Sequence, residues 1–106
     1  MEMNEYQAAA LKTAVYPGQG ERLGLYYVSL GIVNEAGEVA GKVKKLIRDG
    51  ALIERQVADE LSDVLWYLAM TADEIGYSLE DIAQINVAKL SDRKDRGVLQ
   101  GSGDTR

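Results

Sequence analysis

Two stretches decide the fold: Leu30–Arg48, LGIVNEAGEVAGKVKKLIR, and Glu54–Ile75, ERQVADELSDVLWYLAMTADEI. In the first, Ile32, Ala36, Val39, Val43 and Leu46 recur at steps of three and four residues, and Val28 continues the series upstream. That spacing is one face of a helix. In the second, Val57, Leu61, Val64, Leu65, Leu68, Ala72 and Ile75 make a second such face. Asp49-Gly50 between them predicts a turn, so the two helices are expected to run antiparallel.

Working outward, Asn4 is a plausible N-cap for a first helix reaching about Ala14, which Tyr16-Pro17-Gly18-Gln19-Gly20 then breaks. The second helix is expected from about Glu21 to Arg48, although Gly31, Gly37 and Gly41 each cost roughly 1 kcal/mol in a helix interior. Close packing against a neighbour is the expected reason for these glycines, with a kink possible near Gly31. Gly76 is a good stop for the third helix. Ser78-Leu79-Glu80-Asp81 resembles a capping box opening a fourth, through Ile82, Ile85, Val87 and Leu90 to about Lys94. Residues 97–106 form a Gly-rich tail with little to bury. The amides of Gly101-Ser102-Gly103 could nest an anion, but fraying is expected because nothing apolar follows Leu99. No repeat and no strand pattern is visible. The expected architecture is all-α, one domain over 1–106: a four-helix bundle-like protomer whose thin core is completed by assembly into a dimer or tetramer.

Composition removes several chemistries. There is no Cys and no His, which excludes disulfides, thiolate or imidazole metal sites, and Ser–His or Cys nucleophile arrangements. Seventeen acidic against twelve basic residues leave a net charge of −5, the wrong sign for a nucleic-acid binder. No apolar run approaches the roughly 18 residues of a membrane span, and the first residues are no signal peptide. A cytoplasmic location is the expectation, with neither nucleic acid nor membrane as partner.

The remaining chemistry lies in carboxylates. On a wheel of about 100° per residue, Glu35, Glu38, Lys42 and Lys45 form a stripe beside the apolar face of the second helix. Glu60, Asp63 and Tyr67 stand in the same relation to the apolar face of the third. Two acidic pairs of i,i+3 spacing, Glu35/Glu38 and Glu60/Asp63, would thus meet across the hairpin. Such a cluster repels itself unless cations neutralise it. An all-oxygen set suits Mg²⁺, with Mn²⁺ possible. Mg²⁺ favours phosphate oxygens, so a phosphorylated substrate is expected. Acidic pairs on a solvated helix face are the plain alternative. Lys42, Lys45, Lys89, Arg93 and Arg96 could hold phosphate charge or simply end helices in solvent. Asn86 could read a base or sugar edge, or be a satisfied structural amide. Trp66 and Tyr67 could stack on a base, with core or interface packing the better expectation.

The stretches LGIVNEAGEVAGKVKK, DELSDVLWYLA and INVAKLSDRKDRGVLQGSGDTR together resemble the MazG-like nucleotide pyrophosphohydrolases of the all-α NTP pyrophosphatase superfamily, over about Leu23 to Arg106. The family's ExxE…ExxD mark reads here Glu35-x-x-Glu38 and, after twenty-one residues, Glu60-x-x-Asp63. Asn34 stands where many members carry Gly or Leu; both glutamates of the pair are present. The resemblance implies hydrolysis of nucleoside triphosphates between the α and β phosphates, giving a monophosphate and pyrophosphate. It implies that Glu35, Glu38, Glu60 and Asp63 hold Mg²⁺, and that Glu35 or Glu38 acts as the catalytic base. It further implies that Lys89 and Arg93 touch phosphates, that Asn86 touches the nucleoside, and that the protein is a homodimer or homotetramer. The expected role is house-cleaning or control of nucleotide pools. The alternatives are a narrow pyrimidine deoxynucleotide pyrophosphatase of dCTP or dUTP type, and a non-enzymatic helical interaction protein.

Overall fold

The hairpin expected at Asp49-Gly50 forms. The computed structural model describes residues 1–51 and 53–106. Those residues hold four helices and no strand: α1 Met3–Leu11, α2 Arg22–Asp49, α3 Glu54–Glu74 and α4 Leu79–Asp95. α2 packs lengthwise on α3, α1 rests on both α3 and α4, and α4 makes only a small contact with α3.

α2 runs unbroken through Gly31, Gly37 and Gly41. The reason is visible at Gly31, where an added Cβ would sit 2.2 Å from Cδ1 and Cε1 of Tyr67. The missing side chain seats the Tyr67 ring against the α2 backbone, so there is packing and no break. At Gly37 and Gly41 no such neighbour lies within 4 Å, and the packing expected there is not made inside one protomer. α3 stops at Gly76, whose φ of 81° is cheap only for glycine. Its amide and that of Tyr77 fold back on Asp73 and Ala72 carbonyls at 3.0 and 2.9 Å, a Schellman arrangement.

The start of the chain departs from expectation. α1 begins at Met3 with Glu2 in the N-cap position and no side-chain cap, and it ends at Leu11. Asn4 caps a different helix: its Oδ1 accepts the Glu80 amide at 3.1 Å. Gln7, buried, accepts the Leu79 amide at 3.0 Å and donates to the Ala69 carbonyl at 3.1 Å. Ser78 accepts the Asp81 amide at 3.0 Å while Asp81 accepts the Ser78 amide at 3.1 Å, completing the anticipated capping box. Three otherwise unpaired amides of α4 are thereby satisfied, two of them by α1.

The core gathers where α1, α2, α3 and the start of α4 meet: Ala10, Tyr16, Val28, Ala69, Met70, Ala72 and Leu79. Away from that end, much of the apolar face expected to be buried lies open. Leu61, Leu65, Leu68 and Ile75 of α3 are exposed, as are Ile82, Ile85, Val87 and Leu90 of α4. On α2, Leu30 and Val33 are each 70% exposed. The radius of gyration is 16.4 Å, against roughly 13 Å for a compact chain of this length. The accessible surface is 7530 Å², against about 5,800 Å² for a monomer of this mass. Among the described residues, no helix is long and apolar enough to cross a membrane.

The tail does not fray. Arg106 turns back and donates from Nε to the Val98 carbonyl, from Nη1 to Gly103 and from Nη2 to Leu99, at 3.0, 2.7 and 3.0 Å. Arg93 donates to the Asp104 carbonyl at 2.6 Å, and Arg96 to that of Arg106. A guanidinium with five donors thus replaces the apolar anchor that the tail lacks.

Candidate metal centre

Glu35 leaves α2, and Glu60 and Asp63 leave α3 one turn apart, on the sides of the helices that border their contact. One carboxylate oxygen from each lies within 4.8 Å of the others. Glu35 and Glu60 are half-buried and Asp63 is exposed. Half-burial raises the Glu35 carboxyl above its ordinary value, and the charges of Asp63, Glu60 and Glu38 push it further the same way. The Asn34 side chain works against that rise, so the position where this chain departs from the family pattern acts directly on the first glutamate. Such mutual repulsion is the electrostatic condition that a bound cation would relieve.

The donor set fits a hard divalent cation. All three donors are oxygens, and the chain has neither Cys nor His. In an octahedral Mg²⁺ site adjacent ligand oxygens lie about 3.0 Å apart and opposite ones about 4.2 Å, so the trio, now within 4.8 Å, would draw together around an ion. Glu38, one turn beyond Glu35 and exposed, is not part of the trio.

The other sequence-predicted residues distribute unevenly. Lys42 meets the cluster, its Nζ 3.8 Å from Oε1 of Glu60. Lys45 and Lys89 are exposed. Arg93 is buried and holds the tail at Asp104. Asn86 is exposed and is no buried structural amide; it lines a cleft of about 330 Å³ with Ile32, Leu65, Leu68 and Ile82. Ile32 stands one turn before Glu35 on the same helix.

Tyr67, half-buried, sits above Gly31. Burial, then Tyr27 and the charges of Glu35 and Asp63, push its phenol up. It packs edge-on to Trp66 at 5.0 Å and 83°. Tyr16 meets Trp66 edge-on at 6.2 Å and lies parallel to Tyr27 at 6.0 Å. These four rings and Pro17 line a hollow of about 240 Å³. Tyr16 is fixed from behind by Glu74, which accepts its hydroxyl at 2.5 Å and the Gly20 amide at 2.9 Å. Trp66, expected in packing, does pack, and its Nε1 donates to Thr13 at 2.9 Å. Sequence reasoning missed Tyr6 of α1, whose phenol is raised by burial and then by the charge of Asp63. No periodicity or motif pointed to it.

A helical hairpin presenting acidic residues from both arms to one spot is therefore the class of site. The MazG nucleotide pyrophosphohydrolase domain family matches residues 27–98, a span that contains all four acids, and the chain belongs to that family. It is 48% identical over 114 aligned residues, covering all of both chains, to the Gene 37 protein of Mycobacterium phage L5. No solved structure matches it.

Proposed function

We propose that the protein is a Mg²⁺-dependent nucleoside triphosphate pyrophosphohydrolase, cutting between the α and β phosphates to release a nucleoside monophosphate and pyrophosphate. The observation that carries this is the convergence of Glu35, Glu60 and Asp63 within 4.8 Å in a chain of the MazG family. When bound, a divalent cation supplies positive charge for the phosphates and acidifies water. The trio holds it. Glu38, beside the trio with its carboxylate open to water, takes the proton of the attacking water. Lys45 and Lys89 bind phosphate charge, and Asn86 orients the nucleoside at the mouth of the Ile32–Leu65 cleft. Tyr67 fixes the α2 edge of the site by its seat on Gly31. Arg93 contributes to phosphate binding if the tail releases it from Asp104, and otherwise orders the end of α4. The whole of 1–106 acts as one domain, in the cytoplasm.

The working unit is a homodimer or homotetramer. The surface in excess of a compact monomer is about 1,700 Å² per chain, the scale of an obligate interface. The open faces of α3 and α4 supply its apolar part. Light scattering should give a mass of two or four chains; a monomer at micromolar concentration would remove this part of the reading. For the site itself, calorimetric titration with Mn²⁺ should show binding that Glu35→Gln and Glu60→Gln each weaken strongly while the far-ultraviolet helix signal is kept. Equal binding by wild type and both variants would place the metal elsewhere.

A further inference from the structure

The described residues form four ion pairs, and one of them is unlike the rest. Arg48–Asp49, Arg55–Asp59 and Arg96–Asp92 join residues within one turn of a helix or adjacent in the chain, and no side chain among them is less than 48% exposed. Pairs of that kind contribute little. Lys42–Glu60 instead bridges α2 and α3, with the side chains only 28% and 18% exposed. It is also the one ion pair among the described residues that includes a member of the carboxylate trio. The cation is a lysine, a compact charge on a flexible four-carbon stem that can move several ångströms without disturbing its helix.

We infer that Lys42 is a built-in counter-ion of the trio, holding Glu60 while no divalent cation is bound and passing to the substrate's phosphates when one is. The inference rests on the reading of the trio as a divalent-cation site. A divalent ion at Glu60 would set like charges within a few ångströms of each other, so the ammonium has to leave. A polyphosphate arriving at the same edge of α2 offers it a new partner of higher charge. Lys42 therefore opposes the metal when the metal comes alone and favours it once a polyphosphate is present. The carboxylates are partly neutralised in both states, which keeps the hairpin intact between turnovers.

The test is Mn²⁺ binding by calorimetry and electron paramagnetic resonance, with and without a nucleotide whose α–β bridge is a non-hydrolysable methylene. Lys42→Met should bind Mn²⁺ alone about tenfold more tightly than wild type and the Mn²⁺–nucleotide complex about tenfold more weakly, the scale expected for one close charge pair. Lys42→Arg should stay near wild type for Mn²⁺ alone. If Lys42→Met does not fold, Lys42→Gln carries the same comparison, and in wild type the Lys42 ammonium resonance should shift on adding Mg²⁺. Unchanged or weaker Mn²⁺ binding in the neutral variants, with wild type binding normally, overturns the counter-ion role and leaves the metal site standing. A folded wild type that binds no Mn²⁺ overturns both.

Discussion

Replacing Gly31 by alanine is a test of the hairpin's register, because the residue's lack of a side chain is what admits Tyr67. Two terms oppose each other. Alanine in a helix interior gains about 1 kcal/mol over glycine. The new methyl, 2.2 Å from two ring atoms, must push the ring off its seat, an overpacking cost of about 1–3 kcal/mol. The net effect is a destabilisation of about 0–2 kcal/mol. Gly37 and Gly41 supply internal references, since a Cβ at either meets nothing within 4 Å. There only the helix term acts, and each alanine should stabilise by about 1 kcal/mol. The helix term cancels in the difference, leaving the overpacking cost itself. At about 4 °C per kcal/mol for a chain of this size, Gly31→Ala should melt about 4–12 °C below Gly37→Ala. Thermal melts of the three variants followed by circular dichroism measure this directly. A Gly31→Ala protein that melts as high as the two references would mean that the Tyr67 ring is not seated on α2, and with it the juxtaposition of Glu35 and Asp63 would fail.

Glu35 carries a pH signature. Its folded carboxyl lies above its ordinary value, so the folded state holds the proton more tightly than the unfolded one, and stability falls as pH rises through that window. In metal-free protein, Glu35→Gln should therefore melt higher than wild type at neutral pH, with the gain vanishing below about pH 4; a lower melting temperature at neutral pH would contradict the repulsion. Mg²⁺ should stabilise wild type and leave Glu35→Gln nearly unmoved in the same melts. Ser78→Ala removes the side-chain partner of the Asp81 amide and should cost about 1 kcal/mol, read by urea titration; no loss would mean that Gln7 and Asn4 already suffice for α4. Arg106→Ala should release residues 97–106, seen as faster amide hydrogen exchange there with less than about 1 kcal/mol lost overall; unchanged protection would show that the Arg93–Asp104 contact holds the tail unaided.

The α2–α3 hairpin was legible because burial on one side imprints a period of three and four residues, and the carboxylates were legible because they flank that face on both helices. Of the four acids expected to meet, Glu35, Glu60 and Asp63 come within 4.8 Å of one another and Glu38 stays outside them. What the stripes do not encode is register between helices. Hence Lys42, which looks like a free cation in the sequence, turns out to pair with Glu60. Side chains that bond to distant backbone leave no periodic trace either. Asn4 looked like the cap of its own helix and serves Glu80 instead, and Gln7 spans 72 positions to reach Leu79. The tail was misread for the same reason, since an arginine gathering three carbonyls resembles, in sequence, any polar terminus. Ile82, Ile85, Val87 and Leu90 of α4 stay exposed; periodicity marks an apolar face and is silent on what covers it.

The central claim is chemical, and pyrophosphate release is its most direct readout. Purified protein incubated with a panel of NTPs and dNTPs in Mg²⁺ should yield pyrophosphate and the nucleoside monophosphate without orthophosphate, and excess EDTA should abolish it. The same panel ranks the bases and sugars, so confinement of activity to dCTP or dUTP would select the narrow pyrimidine enzyme. Orthophosphate as the product would move the cut away from the α–β bond. No release from any nucleotide at high enzyme concentration, with Mn²⁺ tried as well, would contradict the account.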